Sequence, residues 1–252
     1  VSSGAMAVGR LHLGMPVSGD LRLGDKQAAA ATGQIRLAHA YQAAMARHNR
    51  TVAQILITLE DTEERQRHLN ARATFSSLLK HQAVPVVNEN DTVATAEIRV
   101  GDNDRLAARV ASMAGADLLI LFSDIDGLYT ANPRTNAEAR HMPVIQAITP
   151  QIEAMAGRPL PGISTGGMVT KIDAAKVAVQ AGCSMLIAQG EALHPVQALL
   201  NGGLASLFQA HANPFSLAPP PAPLAHSNAG VQGIPVRPAF PAPAVPVLYP
   251  GA

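Results

Sequence analysis

Three stretches of this 252-residue chain bring together residue types able to do chemistry. The first is Thr165-Gly166-Gly167-Met168-Val169-Thr170-Lys171. Paired glycines let the backbone approach a ligand closely. A helix starting at once would aim its free N–H groups and positive dipole end at an anion. Lys171, in the first turn, can reach a transferring phosphoryl group and neutralise its developing charge. The G-x-x-x-x-G-K spacing of a Walker loop is absent. A flexible glycine loop followed by a solvated lysine is the plainer reading, and this segment alone leaves both open.

The second stretch pairs Asn88-Glu89-Asn90-Asp91-Thr92 with Gly101-Asp102-Asn103-Asp104. Such amides and carboxylates can hold the ammonium and polar groups of a small substrate, and an Asp can orient a catalytic lysine. They equally favour turns and N-caps, and Asp104 has the type and place to cap a helix beginning near Arg105. The third stretch, Ser123-Asp124-Ile125-Asp126-Gly127, is followed by Asn132-Pro133-Arg134. Its Asp-Gly pair is an ordinary turn signal, and the long polar connection could also receive a nucleotide. Ser2-Ser3-Gly4-Ala5 opens the chain as the end of a strand turning into a helix, where Ser is most often an N-cap.

The elements that must carry these motifs alternate. Short runs rich in Val, Ile and Leu at 52–58, 83–87, 117–122, 184–188 and 205–209 suit strands buried on both faces. Helical patterns occupy 26–48, 62–80, 105–113, 150–156, 168–181 and 195–200, with Gly182 placed as a C′ residue. Alternation of this kind predicts βαβ units, a mostly parallel sheet and helices on both faces. Sites in such sheets lie beyond the carboxyl ends of the strands, where the polar stretches fall.

Composition narrows the function. With 48% hydrophobic residues there is material for a sizeable core, and 19 Lys+Arg against 18 Asp+Glu leave a net charge of +1. That balance lacks the basic footprint of a nucleic-acid binder. One cysteine, Cys183, excludes an internal disulfide framework and fits a reducing compartment. No stretch of 18 apolar residues suggests a membrane span, and no secretory leader is visible. The histidines lack metal-ligand spacing, so no metal site built by the protein is expected, and there is no G-x-S-x-G elbow. Beyond about residue 213 the composition changes. Residues 214–252 hold 11 of the 19 prolines and no acidic residue, which predicts a disordered or polyproline-like tail after a domain at 1–213.

Taken in order, SSGA, NENDTVATAEIRVGDNDRL, SDIDGLYTANPR and TGGMVTK closely resemble the glutamate 5-kinases of the amino acid kinase family, as does TVAQILITLEDTEERQRHLNARATFSSLL. The resemblance runs from Val1 to about Asn213. It implies an α/β fold, a three-layer αβα sandwich, and transfer of the ATP γ-phosphoryl group to the side-chain carboxylate of L-glutamate, the first step of proline synthesis. Ser3, Asp91 and Asn103 would bind glutamate, supported by Asn88. Ser123 and Asp124 would contact ATP, with Ser standing where Thr is frequent. Thr165 to Lys171 would form the phosphate-binding loop, Lys171 would act on the transition state, and Asp104 would hold the catalytic lysines. Mg²⁺ would bridge the ATP phosphates.

The resemblance further implies a cytoplasmic homo-oligomer, with proline as a feedback inhibitor and neither nucleic acid nor membrane as partner. Relatives carry a strand and a glycine-rich turn with a second lysine ahead of SSGA. The expectation is therefore a fold without its first strand, without a C-terminal PUA domain, and with weak catalysis at best. A kinase of the same fold acting on another amino acid, and a non-catalytic remnant that binds glutamate or proline, are the alternatives.

Overall fold

All five apolar runs form strands, because Val, Ile and Leu suit a pleated surface covered on both sides. In the computed structural model they are β1 (Val52–Ile57), β2 (Val84–Glu89), β3 (Leu118–Ser123), β5 (Ser184–Gln189) and β6 (Ala205–Phe208). A two-residue strand, β4 (Val144–Ile145), joins them. The helices are α1 (Ala5–His12), α2 (Leu23–Ala46), α3 (Leu59–Glu63), α4 (Arg65–Lys80), α5 (Asp102–Ala114), α6 (Pro150–Met155), α7 (Met168–Gln180) and α8 (Pro195–Leu200). The structure describes residues 1–16, 19, 21–93, 102–157 and 167–210, with Asp102 by its backbone alone. The expected tail at 214–252 lies outside them.

The strands form two sheets. β1 and β2 pair in parallel, Val52 opposite Val84, while the other four run in the order β3-β5-β6-β4. β3–β5 and β4–β6 are parallel, and β5–β6 is antiparallel. Three of the four pairings are thus parallel, with helices flanking the sheets. The antiparallel exception has a geometric cause. A parallel return needs a crossover as long as the strand, and a six-residue α8 rises only about 9 Å.

One helix joins the two sheets. α5 gives Leu106, Val110 and Met113 to a core with Ile57, Phe75 and Val87. Its Ala107, Ala108 and Ala111 enter a second core with Ile187, Met185 and Phe208. There they meet Ala174, Ala175 and Ala178 of α7, small side chains that let the helices approach closely.

α1 and α2 cross more tightly still. A Cβ on Gly9 would collide with the carbonyl oxygen of Ala29, and one on Gly33 with that of Ala5. The reciprocal Ala-x-x-x-Gly spacing makes each glycine the seat of the other helix's backbone.

Two local readings are corrected. The expected helix at 62–80 is two helices, because Glu64 is extended and its carboxylate accepts from the N–H groups of Gln66 and Arg67, capping α4. α3 ahead of it is started by a capping box of Thr58 and Asp61. At the start of the chain the cap of α1 is not a serine but Gly4, with φ of 95° and no side-chain bond. That left-handed conformation suits glycine.

Candidate active site

α7 begins at Gly167, its N-cap, which is extended and offers no side-chain bond to the helix N-terminus. Among the described residues, a Cβ there would meet nothing within 4 Å. The N–H groups at a helix start, with the helix dipole, suit an anion. Met168 and Val169 follow in the first turn, and Met168 packs against the larger core. Thr165 and Gly166 lie outside the described residues.

Lys171 is 8% exposed, and its Nζ lies 3.0 Å from Oδ2 of Asp104. Thr170 Oγ1 is 2.9 Å from the same oxygen and 2.9 Å from the Gly167 carbonyl. An ammonium this buried requires such a partner. Asp104 sits inside the first turn of α5 rather than at its cap, because the helix starts at Asp102 and α7 engages its carboxylate.

Successive residues on a helix point about 100° apart. Asn103, next to Asp104, accordingly reaches elsewhere: its Nδ2 donates to Ser3 Oγ at 2.8 Å and to the Ser2 carbonyl at 3.2 Å. Ser2 N in turn donates to the carbonyl of Val87 on β2, holding the opening of the chain beside that strand. One turn of α5 therefore touches both the expected acceptor residue Ser3 and the expected phosphoryl-binding Lys171.

Asn88 follows Val87 and is 3% exposed. Its Oδ1 accepts from Glu89 N, and its Nδ2 donates to Oε1 of Gln34 at 2.7 Å. Asp91 lies in the turn after β2, where burial pushes its carboxyl above the usual carboxylate range. Ser123 and Asp124 lie at the end of β3. Ser123 Oγ donates to Asp124 Oδ1, Arg134 stands 3.7 Å from Asp124, and Gly190 N bonds the Ser123 carbonyl. Among the described residues no hydrogen bond or ion pair joins this pair to Lys171 and Asp104.

The sequence reading missed Gln34 and took Ser2 only as a cap candidate; both are buried. Their signal lay in context: Gln34 directly follows Gly33, the residue seated at the α1–α2 crossing, and no motif marks it. Among the described residues no three His, Cys, Asp or Glu side chains gather to hold a metal, and no helix is long and apolar enough to cross a membrane.

Known proteins resemble this chain in sequence and in fold. The glutamate 5-kinase of Paramagnetospirillum magneticum is 60% identical over 214 residues, covering 85% of this chain and 57% of the relative. That of Agrobacterium fabrum is 58% identical over 216 residues, covering 86% and 55%. The chain thus spans little more than half the length of these relatives. A carbamate kinase from Giardia lamblia, solved bound to AMP-PNP, superposes with a TM-score of 0.53 at 15% identity, covering 82% of this chain and 80% of that one. This last likeness concerns the fold alone. The model of the amino acid kinase family matches residues 1–189. With three quarters of its length so matched, the chain belongs to the amino acid kinase family.

Proposed function

We propose that the chain transfers the γ-phosphoryl group of ATP to the side-chain carboxylate of L-glutamate, giving γ-glutamyl phosphate. The observation that carries this reading is the first turn of α5, where Asn103 holds Ser3 and Asp104 holds Lys171. The names of the relatives at 60% and 58% identity support the choice of glutamate.

Transfer of this kind asks a protein mainly to position reactants and neutralise charge. The acceptor carboxylate is ionised at neutral pH, so no general base is needed. Ser3, Asn103 and Asp91 would hold glutamate, Asp91 offering its carboxylate to the ammonium, while Asn88 supports them. Thr165 to Lys171 would hold the transferring phosphate, with the N–H groups of the first turn of α7 facing it. Lys171, anchored by Asp104, neutralises the charge that develops there. Ser123 and Asp124 would meet the nucleotide. Without a cluster of protein ligands among the described residues, Mg²⁺ would be held chiefly by nucleotide phosphate oxygens, where it supplies further charge neutralisation. Self-association, a cytoplasmic location and inhibition by proline belong to the same reading.

The test is glutamate-dependent ADP release with the acyl phosphate trapped by hydroxylamine, beside N-acetylglutamate and aspartate as acceptors. Hydroxamate from glutamate alone is expected. Preferred turnover of another acceptor would reassign the substrate, and no turnover by folded protein would refute the activity of this chain. Proline added to the same assay is expected to lower turnover.

A further inference from the structure

We infer that Gln34 on α2 is a positioning residue for the acceptor site, acting through Asn88. The inference rests on the glutamate reading of that site. Gln34 is 7% exposed, and its Oε1 accepts the Asn88 Nδ2 hydrogen bond at 2.7 Å, 54 positions away in the chain. Asn88 Oδ1 is meanwhile engaged by Glu89 N, so the two bonds together fix the rotation of the Asn88 amide.

Gln34 Nε2 is buried and has no hydrogen-bond partner among the described residues, and the same is true of Ser2 Oγ. A glutamine serving only to complete a core would be a poor choice there, since a buried unpaired amide is costly. Both orphans stand beside the β2 terminus: Ser2 N bonds Val87, and Gln34 bonds Asn88. The polar groups therefore cluster where the acceptor would enter. Gln34 owes its own place to the glycine before it, because Gly33 lets α1 and α2 touch backbone to backbone. The helix pair thereby sets the aim of Asn88.

The experiment uses the full chain and Gln34→Met, Gln34→Glu, Asn88→Ala and the Gln34→Met/Asn88→Ala double variant. Solvent exchange of the Asn88 side-chain amide is read by NMR, and affinities for glutamate and ATP by calorimetry. In Gln34→Met the Asn88 amide is expected to exchange faster. Glutamate Kd should rise roughly tenfold, the factor of one ordinary hydrogen bond, with ATP affinity unchanged. Gln34→Glu, which keeps an acceptor oxygen, should restore slow exchange. In the Asn88→Ala background Gln34→Met should add nothing, whereas a structural role would give additive losses. Unchanged exchange or additive losses would overturn the inference. If no form binds glutamate, the glutamate reading fails while the exchange rates still decide the role of Gln34. Should Gln34→Met not fold, Gln34→Ser, too short to reach Asn88, takes its place.

Discussion

Lys171 Nζ lies 3.0 Å from Asp104 Oδ2, and Thr170 Oγ1 lies 2.9 Å from that same oxygen, so one carboxylate atom ties α5 to the first turn of α7. The lysine is held at the mouth of the helix rather than left to wander over its surface. Preorganisation of this sort is what makes a charge effective against a transition state.

Replacing the ammonium tests its chemistry. Lys171→Met should lower kcat for phosphoryl transfer by about 10²–10³ while acceptor KM stays within a few-fold. Asp104→Asn keeps acceptors for Thr170 and Lys171 and should lose less. Steady-state kinetics decide the matter: a Lys171→Met enzyme of full kcat would remove the lysine from the mechanism.

The α1–α2 crossing gives a contrast between glycines. Ala is the better helix former by about 1 kcal/mol. Gly9→Ala or Gly33→Ala nevertheless drives a methyl into a backbone carbonyl and should destabilise the fold by about 1–3 kcal/mol. Gly24→Ala, in the same helix α2 but with no described atom within 4 Å of the new methyl, should be neutral or slightly stabilising. Urea unfolding of the three variants checks the ordering, and equal effects would contradict the tight crossing.

Asp91 predicts a pH signature. Burial raises its carboxyl, so the folded state keeps a proton that the unfolded chain releases. The stability this contributes is complete below the ordinary carboxylate value and is lost as pH rises through the raised one. Asp91→Asn should therefore be the more stable protein at pH 7, with an advantage that shrinks as the medium is acidified through that window, and it should bind glutamate less well. Unfolding midpoints across a pH series measure this. An advantage independent of pH would rule out the carboxyl as its source.

Ser206 is fully buried at the meeting of three segments. Its Oγ accepts from Leu128 N at 2.7 Å, donates to the Met142 carbonyl at 2.7 Å, and lies 3.3 Å from His141 Nε2. Because its one proton goes to Met142, the hydroxyl is an acceptor toward both nitrogens. Ser206→Ala leaves a backbone donor and a backbone acceptor without partners and should cost about 1–3 kcal/mol for each. Thermal unfolding would show it, and an unchanged midpoint would mean those groups find other partners.

The sequence disclosed the strands well because their apolar runs are compact: 184–188 was expected against Ser184–Gln189, and 117–122 against Leu118–Ser123. Gly182, in the left-handed region just past α7, was equally visible. The break at Glu64 was hidden because glutamate is not a customary cap, and β4 because two residues make no pattern. The reversal of β6 depended on the reach of α8, which periodicity does not express. At the candidate site the local motifs pointed to Asn103, Asp104 and Lys171. Gln34 stayed unseen because its partner is far along the chain, and only packing of α2 onto the β2 end brings them together.

α5 lends one face to the core under β1 and β2 and the other to the core under β3 and β5. Loosening either side strips apolar cover from the shared helix, and the opposite side loses its own wall in the same event. The two cores are in this sense one cooperative unit, and Asn103 and Asp104, side by side at the head of the helix, keep or lose their partners together.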